Sequence, residues 1–266
     1  MATRADRSEL SLDTAPLGAW RLARPIGQSA VGARFMAYHA ESAEPALAYR
    51  IDRRLIAHRA RAASATITPG SMPVHDHILT PVESHRDAAG DLWLVAPFVG
   101  SARGLLTVEQ LASARDGGVI GRPEAAFAGL QLLSAVAHAH TMGFVHGPVD
   151  AAQVLVHPRG SLMIELYGTA HRLRDLPVAT DADRAAETRS IVFLVSRLAF
   201  GALPPTHAGA LERWIDRGLS DPGYATAQDA LDALDAAMPG ISATRATGGS
   251  WARDLIGIVG WTLTRR

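Results

Sequence analysis

The sequence predicts an α+β chain in two parts, a small antiparallel β-sheet followed by a mainly helical region. Three observations predict it. From Trp20 to Val99 short strand-like runs are broken by tight turns. After Gly100 apolar residues recur at helical spacing instead. One hairpin, Gln153 to Val156 and Leu162 to Leu166 about the turn Pro158-Arg159-Gly160, interrupts the helices.

Met1 to Pro16 reads as a flexible lead-in. Trp20 to Ile26 is the first strand, Gly27 to Gly32 a small-residue turn, and Ala33 to His39 and Ala46 to Ile51 the next two strands, the order of an antiparallel meander. Leu55 to Ala65, rich in arginine and alanine, is expected to be a short helix stopped by Pro69-Gly70. Ile78 to Ser84 and Leu92 to Val99 are two more strands across the turn His85 to Asp91. Leu92 to Val95 is apolar without a break, as a strand covered on both faces would be. Pro123 to Thr141 is a helix. Pro123 suits a first helical turn, Phe127, Leu130, Leu133 and Val136 share a face, and Gly143 ends it. Ala185 to Phe200 is a second strongly apolar helix, and Leu211 to Leu219 and Ala227 to Ala237 are helices with an apolar stripe. No internal repeat is present. The expected division is a flexible segment 1–16, a sheet part 17–100, a helical part 101–240, and a linker with an apolar helix at 241–266.

The 266 residues suffice for two lobes with real cores. Net charge is zero, so nothing points to nucleic acid. There is no cysteine, which excludes thiol chemistry and cysteine zinc sites. All 26 basic residues are arginine. Without lysine, neither a Walker-type phosphate loop nor a Schiff-base enzyme can be built in its usual form. The arginine and alanine bias suggests a GC-rich bacterial genome. Met1 to Leu10 lacks the apolar core of a secretory signal. No apolar stretch reaches the roughly 18 to 20 residues of a membrane span, and a cytoplasmic location is expected.

Several segments carry a family resemblance in their order: "RPIGQSAVGARF", "HDHIL", "LWLVAPFVG", "LLSAVAHAHTMGFVHGPVDAAQVLV", "SLMIELYG", "FLVSRLAFGALPP" and "LSDPGYATAQDALDAL". Together they resemble bacterial serine/threonine protein kinases, from about Trp20 to Met238. The resemblance implies a bilobal protein-kinase-like fold, with an antiparallel sheet in the N-lobe and helices in the C-lobe.

It also implies positions for the phosphate-transfer parts, and the sequence departs at most of them. The glycine-rich loop keeps Gly27 and Gly32 but has Ser29 between them, and Arg34 stands where the family has a valine over the adenine ring. A tight hairpin would use the same glycines. On the third strand Ala48 matches, and the lysine position falls on Arg50, a longer and planar cation. Gly27, Gly32, Arg34, Ala48 and Arg50 are the candidates for lining a nucleotide cleft. The lysine's partner, a glutamate on the following helix, has no counterpart, because Arg53 to His75 contains no acidic residue. His-Arg-Asp becomes His146-Gly147-Pro148, and the metal-holding asparagine becomes Gln153. Asp150 is expected to face solvent or cap the loop. Asp-Phe-Gly becomes Leu166-Tyr167-Gly168, and leucine cannot ligate magnesium. Glu165, one residue earlier on a strand, is expected to point to the opposite face. The segment from Gly168 to Asp183 is short and lacks the family's closing motif.

The expected function is therefore that of a catalytically inactive pseudokinase, not an enzyme. It would act as a regulatory or scaffolding module, without cofactor, metal or magnesium-ATP. Its partner would be a protein, an active kinase or another signalling protein among them. The alternative is a divergent kinase-fold transferase or nucleotide sensor, with Arg50, Asp150 and Glu165 as candidates. Two histidine pairs, His75 with His77 and His138 with His140, suggest a metal, but residues two apart on a helix lie on different faces. No Gly-x-Ser-x-Gly elbow is present. The segment Trp251 to Leu263, with Arg265 and Arg266 after it, lies outside the resemblance. It could fold back on the domain, bind a partner or second copy, or rest on a membrane surface.

Overall fold

A computed structural model describes residues 16–56, 67–101, 104–176, 178–201 and 209–241. Its strands are β1 (Trp20–Ser29), β2 (Gly32–His39), β3 (Pro45–Ile51), β4 (Ile78–Leu79), β5 (Glu83–Arg86), β6 (Leu92–Pro97), β7 (Val154–Val156) and β8 (Leu162–Glu165). Five of them form the N-lobe sheet in the order β1-β2-β3-β6-β5, antiparallel throughout. Alternation gives this sheet two apolar faces. The outer face packs Trp20, Phe35, Ala37, Ala48, Trp93 and Val95 together. The inner face carries Leu47, Tyr49, Ile51, Leu94 and Ala96 towards the second lobe, where Leu155, Leu166 and Leu173 complete the cluster. The continuous apolar run of β6 is thereby covered on both sides.

The expected strand Ile78 to Ser84 is corrected to two. Its first half, β4, leaves the N-lobe and pairs parallel with β8 in a second sheet of order β4-β8-β7. Its second half, β5, pairs with β6 and runs on to Arg86, into the expected turn. The break falls at Pro81, which has no N–H to give to a ladder, beside Thr80, whose hydroxyl donates to the Pro73 carbonyl at 2.7 Å. As a result one short segment belongs to both lobes.

The C-lobe helices are α1 (Val108–Ser113), α2 (Arg122–Thr141), α3 (Thr169–Leu173), α4 (Asp181–Phe200), α5 (Ala210–Leu219) and α6 (Ala227–Ala237). α2 is the central one. Gly129 lets α4 and α6 approach it, since a Cβ there would stand 2.8 Å from Val195 Cγ2 and 2.9 Å from Leu234 Cδ2. α4 starts four residues before the expected Ala185, because Thr180 and Asp183 form a reciprocal capping box. α1 and α3 had no expectation, being too short for a periodic signal. The helix expected at Leu55 to Ala65 lies mostly outside the described residues. What is described there is a 3-10 turn, Arg53–Leu55, capped by Asp52. The lead-in and the segment after Ile241 also lie outside. No helix among the described residues is long and apolar enough to cross a membrane. The α+β bilobal fold that the sequence predicts is the fold observed.

Candidate functional site

The cleft between the lobes is roofed by the inner face of the N-lobe sheet and floored by β7, β8 and the residues after β8. The glycine-rich segment is a two-residue hairpin loop, Ala30-Val31, between β1 and β2. Ser29 Oγ donates to the Gly32 carbonyl at 3.0 Å and accepts from Val31 N–H at 3.3 Å. Val31 is buried in the inner cluster, and its carbonyl accepts from Asp52 N–H at 2.9 Å. Gly32 has φ +146°, and a Cβ there would meet the Arg50 carbonyl oxygen at 2.1 Å. This glycine is thus required by the approach of β3.

The strand register reassigns the third-strand candidates. Arg34 pairs with Tyr49, Phe35 with Ala48, and Ala33 with Arg50. Directly paired residues share a face, so Arg34 and Tyr49 enter the cleft while Ala48 and Arg50 point away from it. Arg50 spreads its guanidinium over the outer-face Phe35 ring, 5.9 Å from the centroid. Arg50 and Ala48 are therefore corrected as cleft residues. Side chains alternate with period two, so a motif placed one residue out exchanges the faces of a whole strand.

Arg34 and Glu165 form a buried ion pair at the centre of the cleft, with Nη2 to Oε2 at 2.6 Å and both side chains almost wholly enclosed. Tyr49, with no exposure, donates its hydroxyl to the other carboxylate oxygen at 2.8 Å. The expectation that Glu165 points away is also corrected. β8 ends at Glu165, and Leu166 takes φ +47°, so strand alternation stops there. Leu166 can then join the inner cluster while its neighbour Glu165 reaches the roof. Burial pushes the Glu165 carboxyl above its ordinary value, against the pull of the Arg34 charge and the hydrogen bonds from Arg34 and Tyr49. Burial also pushes the Tyr49 phenol well up, with the Glu165 carboxylate acting in the same direction, so Tyr49 keeps its proton and donates it. Arg34 Nε is buried with no hydrogen-bond partner among the described residues.

Below the cleft, a second polar cluster fixes the loop after α2. Glu187, fully buried on α4, accepts from His146 N–H at 3.2 Å and meets His140 Nε2 at 3.0 Å. His146 Nδ1 accepts from Gly168 N–H at 3.3 Å, and its ring lies 5.4 Å from the Tyr167 ring. Burial holds the His146 imidazole down at about 4, with the Asp150 carboxylate opposing. Burial and the Glu187 carboxylate both push the Tyr167 phenol up. Pro148 is exposed. Asp150 and Gln153 bond to each other's backbone in a capping box, with Asp150 Oδ1 accepting from Ala152 N–H at 2.9 Å and Gln153 Oε1 from Asp150 N–H at 3.0 Å. Both side chains are thus engaged in shaping the loop. Gly27 and Arg24 lie on the exposed stretch of β1.

The structure therefore brings Arg34 and Glu165 together and sends Arg50, Ala48, Asp150 and Gln153 elsewhere. Sequence reasoning missed Tyr49 and Glu187. Tyr49 carries a signal only once the strand register is known. Glu187 had one in the text, since it stands on the stripe continued by Ile191 and Val195 and is the acid of an apolar face. The histidines separate as helical geometry requires. His140 turns to Glu187, while His138 lies 5.4 Å from the ring of His75, itself 5.5 Å from His77. Among the described residues no three His, Asp or Glu side chains are placed to hold a metal ion.

At the cleft's outer mouth a hollow of about 330 Å³ is lined by Ile26, Met36, Phe98, Gly100 and Leu105.

No protein-family model and no curated protein matches the chain. Solved structures do. A crystal structure of the PknI kinase domain of Mycobacterium tuberculosis aligns at a TM-score of 0.65 with 18% identity, covering 84% of this chain and 98% of that one. A second structure of that domain gives 0.65 and 18%, covering 84% and 97%. A cysteine-to-alanine variant of it gives 0.65 and 16%, again covering 84% and 97%. The expectation of no enzyme is corrected: the solved structures that this chain resembles are kinase domains. What is established is the fold: the chain is built as a bilobal protein-kinase-like domain.

Proposed function

We propose that this chain is a kinase-fold regulatory module that acts by binding a protein, its interlobe cleft latched against magnesium-ATP by the Arg34–Glu165–Tyr49 network. The supporting observation is that network. It places a guanidinium, a carboxylate and a phenol where a nucleotide would enter, and it ties β2 and β3 of one lobe to β8 of the other. Both carboxylate oxygens of Glu165 are engaged by Arg34 and Tyr49, and Leu166 offers no hard oxygen for the magnesium. With the cleft occupied by its own side chains, recognition falls to the outer surfaces.

Thermal-shift measurements with ATP, ADP and GTP, each with and without magnesium, test this. No magnesium-dependent shift is expected for the full chain. A robust magnesium-dependent shift contradicts it.

A second reading, a nucleotide sensor or divergent transferase, is favoured by the hollow at the cleft mouth, where Arg24 and Ser101 stand beside the apolar Ile26, Met36, Phe98 and Leu105. Of the transferase candidates only Glu165 lies in the cleft. This reading predicts a metal-independent shift that Leu105→Arg abolishes.

A further inference from the structure

A groove of about 920 Å³ lies on the C-lobe and shares no residue with the cleft network. Its walls come from the segment before β4, from α2, from the β7–β8 turn and from α6. Phe127 and Leu130 of α2, Met163 of β8 and Leu231 of α6 give it an apolar floor, each only partly buried. Three carboxylates, Asp76, Asp232 and Asp235, line it against one guanidinium, Arg159, so the groove is net acidic. An apolar floor under an acidic rim fits a segment that is apolar and basic.

The chain holds such a segment. Trp251, Leu255 and Ile258 follow at helical spacing, and Arg253, Arg265 and Arg266 stand against a single Asp254. α6, which builds one wall, is the last described helix, and Ile241 just beyond it is buried against the lobe. Nine residues, Ser242 to Ser250, then connect to Trp251. They can span up to about 30 Å, whereas Leu231 lies about 9 Å back along α6 from its end at Ala237. The groove is therefore within reach.

We propose that this groove is the docking site of the chain's own Trp251–Leu263 segment. Its apolar residues rest on Phe127, Leu130, Met163 and Leu231, and the arginines that flank it face Asp232 and Asp235.

The absence of cysteine makes the test simple in the full chain. Ser250→Cys supplies the sole thiol for a nitroxide label. Methyl signals of Leu130, Met163 and Leu231 are expected to broaden at least several-fold, while that of Ile51 in the N-lobe stays sharp. Asp232→Arg with Asp235→Arg, both exposed positions, should remove the broadening and leave the rest of the spectrum in place. Leu255→Asp with Ile258→Asp should do the same. Three results overturn the proposal. One is groove methyls that stay sharp in the labelled chain. Another is broadening that persists after both pairs of changes. The third is broadening of an isotope-labelled, spin-free chain by a separate spin-labelled one, which would assign the groove to a second copy.

Discussion

Arg34 and Glu165 stand 131 residues apart in sequence and 2.6 Å apart in the cleft. A buried ion pair of this kind gains little net stability over an apolar replacement, but removing one partner strands the other charge. Arg34→Leu and Glu165→Leu are each expected to cost about 3 to 5 kcal/mol in urea unfolding, and the double variant less than either alone. Costs that simply add would mean that the two side chains do not act as a pair. His146 makes a pH prediction. In the fold it stays neutral down to about pH 4, whereas in the unfolded chain it takes a proton near 6.5. Between these values the unfolded state binds more protons, so stability falls as the pH is lowered, by up to about 1.4 kcal/mol per unit from this group. His146→Asn, whose oxygen can still accept from Gly168 N–H, should flatten that slope; an unchanged slope counts against a buried neutral imidazole. At this scale the text was legible in part. The missing lysine and the acid-free stretch from Arg53 to His75 are plain in it. Which of Tyr49 and Arg50 enters the cleft is not, because neighbouring strand residues differ only in face, and that is set by pairing with β2.

The elements were legible where they are long and periodic. α5 and α6 carry apolar stripes over 10 and 11 residues, α2 and the second half of α4 are apolar on most sides, and the sheet strands are bounded by turn residues. The run from Ile78 to Ser84 misled because both its halves are strands, and only the partners, β8 for one and β6 for the other, divide them. α1 and α3 hold no full period. Gly129 shows how one position governs three helices. Its missing side chain admits Val195 of α4 and Leu234 of α6, so Gly129→Val is expected to overpack their junction and cost about 1 to 3 kcal/mol. An unaltered urea midpoint would mean that the helices are free to part.

Across the molecule, three sets of contacts among the described residues join the two lobes. β4 hydrogen-bonds into the C-lobe sheet through Ile164 N–H to the His77 carbonyl at 2.9 Å and Leu166 N–H to the Leu79 carbonyl at 3.1 Å. The Arg34–Glu165–Tyr49 network also ties the lobes across the cleft, and an apolar cluster that includes Leu47 and Leu173 spans it. The bilobal architecture was readable from the order of the elements. The network was not, since its anion comes from β8, where strand alternation had placed Glu165 on the wrong side. Calorimetric titration of the full chain with magnesium-ATP tests the proposed latch most directly. No saturable binding is expected for the unmutated chain at millimolar nucleotide, and saturable, magnesium-dependent binding with Arg34 and Glu165 in place would contradict it.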